Sequence, residues 1–164
     1  MKKILLIVTA LLGLSLAAVA QPKAIGLRGG PFEQELSYEH WFTVFDNDYD
    51  FLEAELGMFN GNGFKATLMY NLTLAQPEFT DQGEWALYAG PGAVAGIGSY
   101  KTMEENGNVK SHARPMVGAA VQLGMEYKFW FPLSVSLDFR PTFIIPMKVN
   151  THWYGFALSA RYAF

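Results

Sequence analysis

The chain has no cysteine. No disulfide can hold it together, and neither a reactive thiolate nor a cysteine metal site is available to it. It lacks a basic run or stripe, so nothing in it is suited to tracking a phosphate backbone, and nucleic acid is not an expected partner. Beyond the first twenty residues no stretch reaches the about 18 consecutive apolar residues of a membrane-crossing helix. Internal repeats, low-complexity tracts and linkers are also missing. Charge is sparse, at 16% of residues. Aromatic side chains are abundant, with 13 Phe, 8 Tyr and 4 Trp, and a load of that size needs a surface or a core to receive it.

The chain opens with Lys2 and Lys3, continues through an apolar run from Ile4 to Leu16, and reaches Ala18-Val19-Ala20 before Gln21. That order of positive, apolar and small residues predicts a secretory signal peptide over residues 1–20, cleaved after Ala20. The apolar run is shorter than the about 20 residues of a spanning helix, and no stop-transfer pattern follows it. One domain is then expected over residues 21–164. Without Lys2 and Lys3, ten of the twelve Lys and Arg remain against fifteen Asp and Glu, a formal charge of −5.

From Lys23 onward the dominant period is two. Val117, Ala119, Val121, Leu123, Met125, Tyr127 and Phe129 alternate with Met116, Gly118, Ala120, Gln122, Gly124, Glu126 and Lys128. Successive strand side chains point to opposite faces, so this is one long strand with an apolar face and a polar or small face. After a tight turn at Trp130-Phe131-Pro132 the rhythm resumes, with Leu133, Val135, Leu137, Phe139 and Phe143 opposing Ser134, Ser136, Asp138, Arg140 and Thr142. Similar alternation covers 23–29, 35–41, 51–58, 64–74, 84–97 and 154–164. Turn signals such as Asn60-Gly61-Asn62-Gly63 and Asn106-Gly107 separate these segments. Eight antiparallel strands are expected, with connections at 43–49, 75–83 and a long one at 99–113.

Alternation alone leaves two inverse barrels open. A lipocalin-like secreted carrier turns its apolar face inward around a ligand, whereas a membrane barrel turns it outward to lipid. The polar face here is rich in Gly, Ala and Ser, which suit the narrow interior of a small barrel. It also carries charges of both signs: Arg28, Lys65, Lys128, Arg140 and Arg161 with Glu35, Glu39, Glu53, Glu55, Glu126 and Asp138. Paired across a closed lumen, such groups satisfy one another. Aromatics gather at strand ends, at Trp41-Phe42, Tyr127, Phe129-Trp130-Phe131 and Tyr162 to Phe164, as in an interfacial girdle. The expected fold is therefore all-β, an eight-stranded antiparallel up-and-down transmembrane β-barrel, polar inside.

The signal peptide, the eight amphipathic strands and the terminal segment with Phe156, Leu158, Tyr162 and Phe164 on one face together resemble small outer-membrane β-barrels of the OmpA/OmpX type. The pattern in EYKFWFPLSVSLDFRP (126–141) also resembles a paired-strand signature of such families. The resemblance covers essentially the whole mature chain and rests on patterns rather than fixed residues. It implies a Gram-negative outer-membrane location, outer-membrane lipid as surroundings, a monomer, and recognition of the C-terminal segment by the barrel-assembly machinery. It also implies a structural or surface-interaction role, with the 99–113 loop as the surface for any partner, no cofactor and no open pore.

Other candidate chemistry gives way to plainer readings. Asp46, Asp48 and Asp50 begin like a calcium loop, but its sixth and twelfth positions hold Phe51 and Gly57 instead of Gly and Glu, so an acidic solvated turn is expected. His40, His112 (beside Ser111) and His152 are the natural catalytic candidates, and the alternative function is a lipid-modifying barrel enzyme of the acyl-transfer or deacylation type. No Ser/His/acid set follows from their spacing, and no catalytic or metal-binding residue is assigned.

Overall fold

A computed structural model describes residues 23–45, 48–59, 63–103, 109–145 and 155–164. Its strands are β1 (Lys23–Gly29), β2 (Glu33–Phe45), β3 (Asp48–Phe59), β4 (Gly63–Ala75), β5 (Gly83–Met103), β6 (Val109–Phe129), β7 (Ser134–Phe139), β8 (Thr142–Ile145) and β9 (Phe156–Ala163). Proline has no N–H to give a ladder, and the strand assignment breaks at Arg140-Pro141. The register is nevertheless continuous from Leu123↔Phe139 to Ala120↔Thr142. β7 and β8 are thus two halves of one strand, and the count is the expected eight.

Each strand pairs antiparallel with its sequence neighbour, and β9 returns to pair with β1. The seam is tied at its end by Lys23 N–H donating to the Phe164 carbonyl (3.1 Å) and Phe164 N–H donating to the Lys23 carbonyl (2.8 Å). The β1–β9 pairing closes the sheet on itself, which is how a barrel removes the free edges of an open sheet. Lys23 and Phe164, the two ends of the described chain, lie at one rim (the termini rim), which also carries the 76–82 connection and the Trp130-Phe131-Pro132 turn. In that turn Phe129 N–H donates to the Leu133 carbonyl at 3.0 Å.

The period-two pattern becomes two physical faces. Leu27, Leu36, Leu56, Leu68, Val121, Leu137 and Leu158 are exposed on the outside; Leu27 retains 68% of its surface. The polar set points inward, and Glu53 retains 0%. A soluble protein would bury the first set and solvate the second. Here the inversion continues around the whole wall.

Three expectations need correction. β2 runs to Phe45 and β3 resumes at Asp48, so the connection expected over 43–49 shrinks to two residues. The expected 99–113 loop is largely strand. The described pairing of β4 with β5 reaches Gly63↔Gly98 and that of β8 with β6 reaches Val117↔Ile145, while β5 and β6 stay paired out to Met103↔Val109. Among the described residues the pairing continues there as a two-stranded ribbon, and of the segment 99–113 only 104–108 lies outside the described residues. Third, Trp41 does not belong to the rim girdle. It is 1% exposed, inside the barrel, and stacks on Phe51 with centroids 4.3 Å apart; Phe51 in turn meets Tyr88 edge-on at 5.0 Å. These rings fill lumen that small residues alone would leave empty.

The rest of the rim cluster does form a ladder of rings across β5, β6 and the following turn. Trp85 lies 4.6 Å from Tyr127, Tyr127 4.6 Å from Phe129, and Phe129 5.0 Å from Phe131.

Candidate functional site

The lumen holds a layered charge network, and alternation is what aims it inward. On β2, Glu33, Glu35, Ser37 and Glu39 share the inner face; on β3, Glu53 and Glu55 do so; Arg28, Asp138, Arg140 and Arg161 arrive from β1, the β7–β8 strand and β9. The register sets Glu39 directly opposite Glu53, an unfavourable juxtaposition unless a cation lies between. Arg161 supplies it. Its guanidinium binds Glu53 Oε1 through Nη2 and Glu39 Oε1 through Nη1 at 3.0 Å, and donates to Ser37 Oγ (2.9 Å) and Ser136 Oγ (2.8 Å).

One layer toward the opposite rim, Arg140 grips both oxygens of Glu55, with Nη2–Oε1 at 3.0 Å, and lies 3.4 Å from Glu53 Oε2. Arg28 forks onto Asp138 through Nη2–Oδ1 (2.6 Å) and Nε–Oδ2 (3.2 Å) and donates to Glu35 Oε2 at 2.8 Å. Planar two-point pairing is the geometry arginine offers and lysine does not. Lys65 closes the stack by pairing with Glu33 and with Glu35 Oε1 at 3.3 Å. Gln122 and Asn71 donate to the remaining oxygen of Glu53 at 3.1 and 3.5 Å. Glu53 is the hub, accepting from Arg161, Arg140, Gln122, Asn71 and Ser37.

The expected lumen charges are placed as follows. Arg28, Glu35, Glu39, Glu53, Glu55, Lys65, Asp138, Arg140 and Arg161 form the one network. Glu126 and Lys128 also point inward but stand nearer the termini rim. Glu126 is fully buried, and among the described residues neither of its carboxylate oxygens has a hydrogen-bond partner. Lys128 sets its ammonium 3.1 Å from the Trp41 ring centroid. Glu33 lies outside the alternation expected over 35–41 because β2 begins two residues earlier; its place at the same parity as Glu35 is the signal that would find it. The network donors Asn71 and Gln122 also lie outside the expected set. Asp50 corrects the solvated-turn reading: it is buried, accepting from Tyr70 Oη at 2.9 Å and from Thr73 N–H at 3.4 Å. Asp46 lies outside the described residues.

His40 and His112 do not converge. His40 is on β2 near the termini rim, its Nδ1 3.4 Å from Tyr38 Oη, whereas His112 is on the ribbon at the opposite rim, opposite Tyr100 in the register. His152 and the segment 1–20 with Ala20 lie outside the described residues. Phe156 and Leu158 are exposed on the outer face of β9, Tyr162 and Phe164 half-buried, and the Phe156 ring packs 4.7 Å from Phe139. Among the described residues no three His, Asp or Glu side chains gather to hold a metal ion.

No family model matches the chain, and no curated protein matches it. Among solved structures it is similar to the N-terminal β-barrel domain of Pseudomonas aeruginosa OprF, with a TM-score of 0.60 at 11% identity over 87% of this chain and 97% of that one. A second match, Ail, the attachment invasion locus protein of Yersinia pestis, has a TM-score of 0.42 at 7% identity over 88% of this chain and 95% of that one. The likeness to the OprF domain agrees with the architecture implied by the OmpA/OmpX-type resemblance: this chain folds as a closed eight-stranded antiparallel β-barrel.

Proposed function

We propose that the protein is an integral outer-membrane barrel of a Gram-negative bacterium, a non-enzymatic envelope component with a structural or surface-interaction role. The observation that carries this reading is the inversion of the wall, apolar outward and charged inward. Only surroundings of lipid make it favourable, because lipid solvates the Leu and Val belt while closure satisfies the backbone. The termini rim, with its aromatic ladder, faces the periplasm, and the β5–β6 ribbon projects outside as the surface for a partner. Phe156, Leu158, Tyr162 and Phe164 present the segment read by the assembly machinery. An eight-stranded wall encloses room for little more than side chains, and the Arg–Glu layers together with Trp41, Phe51 and Tyr88 occupy that room, so no conducting pore is expected.

Cell fractionation with a denaturing gel run unheated and boiled tests this reading. The protein is expected in the outer-membrane fraction, with a band that changes mobility on boiling. A periplasmic or secreted, heat-indifferent species would establish the lipocalin-like carrier instead. An enzymatic reading would gain ground if replacement of His112 or His152 altered the cell's lipid A profile.

A further inference from the structure

At the termini rim the lumen opens into a vestibule of about 710 Å³, walled by the start of β1, the start of β5, the end of β6 and the turn after it. Its floor is Trp41. One face of that indole is covered by Phe51 and the other by the Lys128 ammonium, and its Nε1 donates to Glu39 at 3.3 Å. Beside this floor lie two groups whose hydrogen-bonding capacity is unused. Glu126 is 0% exposed and Ser134 2% exposed, and among the described residues neither carboxylate oxygen of the first nor the Oγ of the second meets a hydrogen-bond partner. Everywhere else in the network a buried carboxylate is met by guanidinium, ammonium, hydroxyl or amide donors. Lys128, at the next inner position of β6, holds its ammonium over the Trp41 ring, close enough to feel the Glu126 charge, but among the described residues it makes no hydrogen bond to that carboxylate.

We propose that this vestibule is a binding site for an organic cation, a ligand bearing an ammonium or guanidinium group that seats its N–H donors on Glu126 and Ser134. Several N–H donors on one charged centre are what two unmet carboxylate oxygens and a neighbouring hydroxyl require. The surrounding walls, Phe129, Phe131 and Leu133 among them, suit an apolar body behind that group. At the mouth Asp81 and Glu84 outweigh Lys23, so the entry path keeps a net negative charge. An inorganic divalent ion fits less well, since no trio of acidic or histidine side chains converges among the described residues. Lys128 is the built-in competitor: moved off Trp41 it would reach toward the same carboxylate.

The test is calorimetric titration of the folded barrel in detergent with n-butylammonium, with n-butanol and potassium chloride as neutral and inorganic controls. Butylammonium is expected to bind with a dissociation constant in the range of about 1–10 mM, and the controls are not. Glu126→Gln is expected to weaken it at least about tenfold, since the charge-assisted bonds are lost. Ser134→Ala, which leaves the barrel charge untouched, weakens it severalfold, and Lys128→Gln tightens it by removing the competing ammonium. A boiling-dependent gel shift verifies that each variant is folded. Wild-type affinity in both Glu126→Gln and Ser134→Ala would overturn the proposal, as would absence of butylammonium binding or equal binding of butanol.

Discussion

Arg140→Met removes the cation that holds two layers of the lumen together. Arg140 is 1% exposed, grips both oxygens of Glu55, and lies 3.4 Å from Glu53 and 3.6 Å from Glu35. Without it, the cation left to Glu55 among the described residues is Arg28, at 3.6 Å and already engaged with Asp138 and Glu35. Removing one member of a buried pair costs about 3–5 kcal/mol, because the abandoned charge stays desolvated. At about 1.4 kcal/mol per factor of ten, the folding equilibrium then falls by roughly two to three and a half orders of magnitude. Urea unfolding in detergent, followed by tryptophan fluorescence and by the gel shift of unheated samples, reads this as a drop in midpoint of more than about 1 M. Asp138→Asn should show the same direction, since it strips the Arg28 fork of its charged acceptor. Replacing Arg140 and Glu55 together by Met should cost less than Arg140→Met alone, because no orphan partner remains. Unchanged midpoints in both Arg140→Met and Asp138→Asn would refute the paired-lumen reasoning, as would a double variant worse than the sum of its parts.

Three further outcomes are expected. Tyr88 lies across Gly124, where an added Cβ would come within 2.3 Å of the ring, so Gly124→Leu should displace the Tyr88–Phe51–Trp41 stack. The cost should be about 1–3 kcal/mol in the same unfolding assay, with a shift in tryptophan emission. Val121→Arg, on the outer belt, should destabilise the barrel by about 2–4 kcal/mol in lipid vesicles, far more than most exposed substitutions in a soluble protein. Deleting Phe164 should lower the amount of folded protein recovered in the outer membrane while purified material still refolds in detergent; refolding failure would point to a purely structural role for the seam bonds at Lys23.

Most of the architecture was legible because a two-faced strand leaves a two-faced sequence. Residues 116–129 declared their inner and outer members by parity alone, and the lumen charges followed from the same parity. Legibility fails where burial stops constraining the pattern. The ribbon pairs Ser99↔Ala113 through Met103↔Val109 are held by backbone bonds outside the apolar belt. Their side chains therefore carry no alternation, and the segment reads as loop. Trp41 fails for a different reason. A large aromatic near a strand end is equally at home in an interfacial girdle or in a lumen that needs filling, and only the facing Phe51 and Lys128 decide. The partners within the network were also hidden. Parity shows that Arg161 points inward, but the barrel circumference determines that it reaches Glu39 and Glu53 across the lumen.

Because the chain has no cysteine, single cysteines introduced along β6 and β9 can be spin-labelled without background. The most direct test of the inverted wall is the accessibility of such labels to oxygen and to a water-soluble relaxing agent, in vesicles, at residues 117 to 125 and 156 to 160. The account predicts period two: Val121, Leu123, Phe156 and Leu158 positions reached by oxygen dissolved in lipid, and Gln122, Ala157 and Ser159 positions shielded from it. Outward positions reached by the aqueous agent instead, with no alternation in oxygen contact, would contradict it.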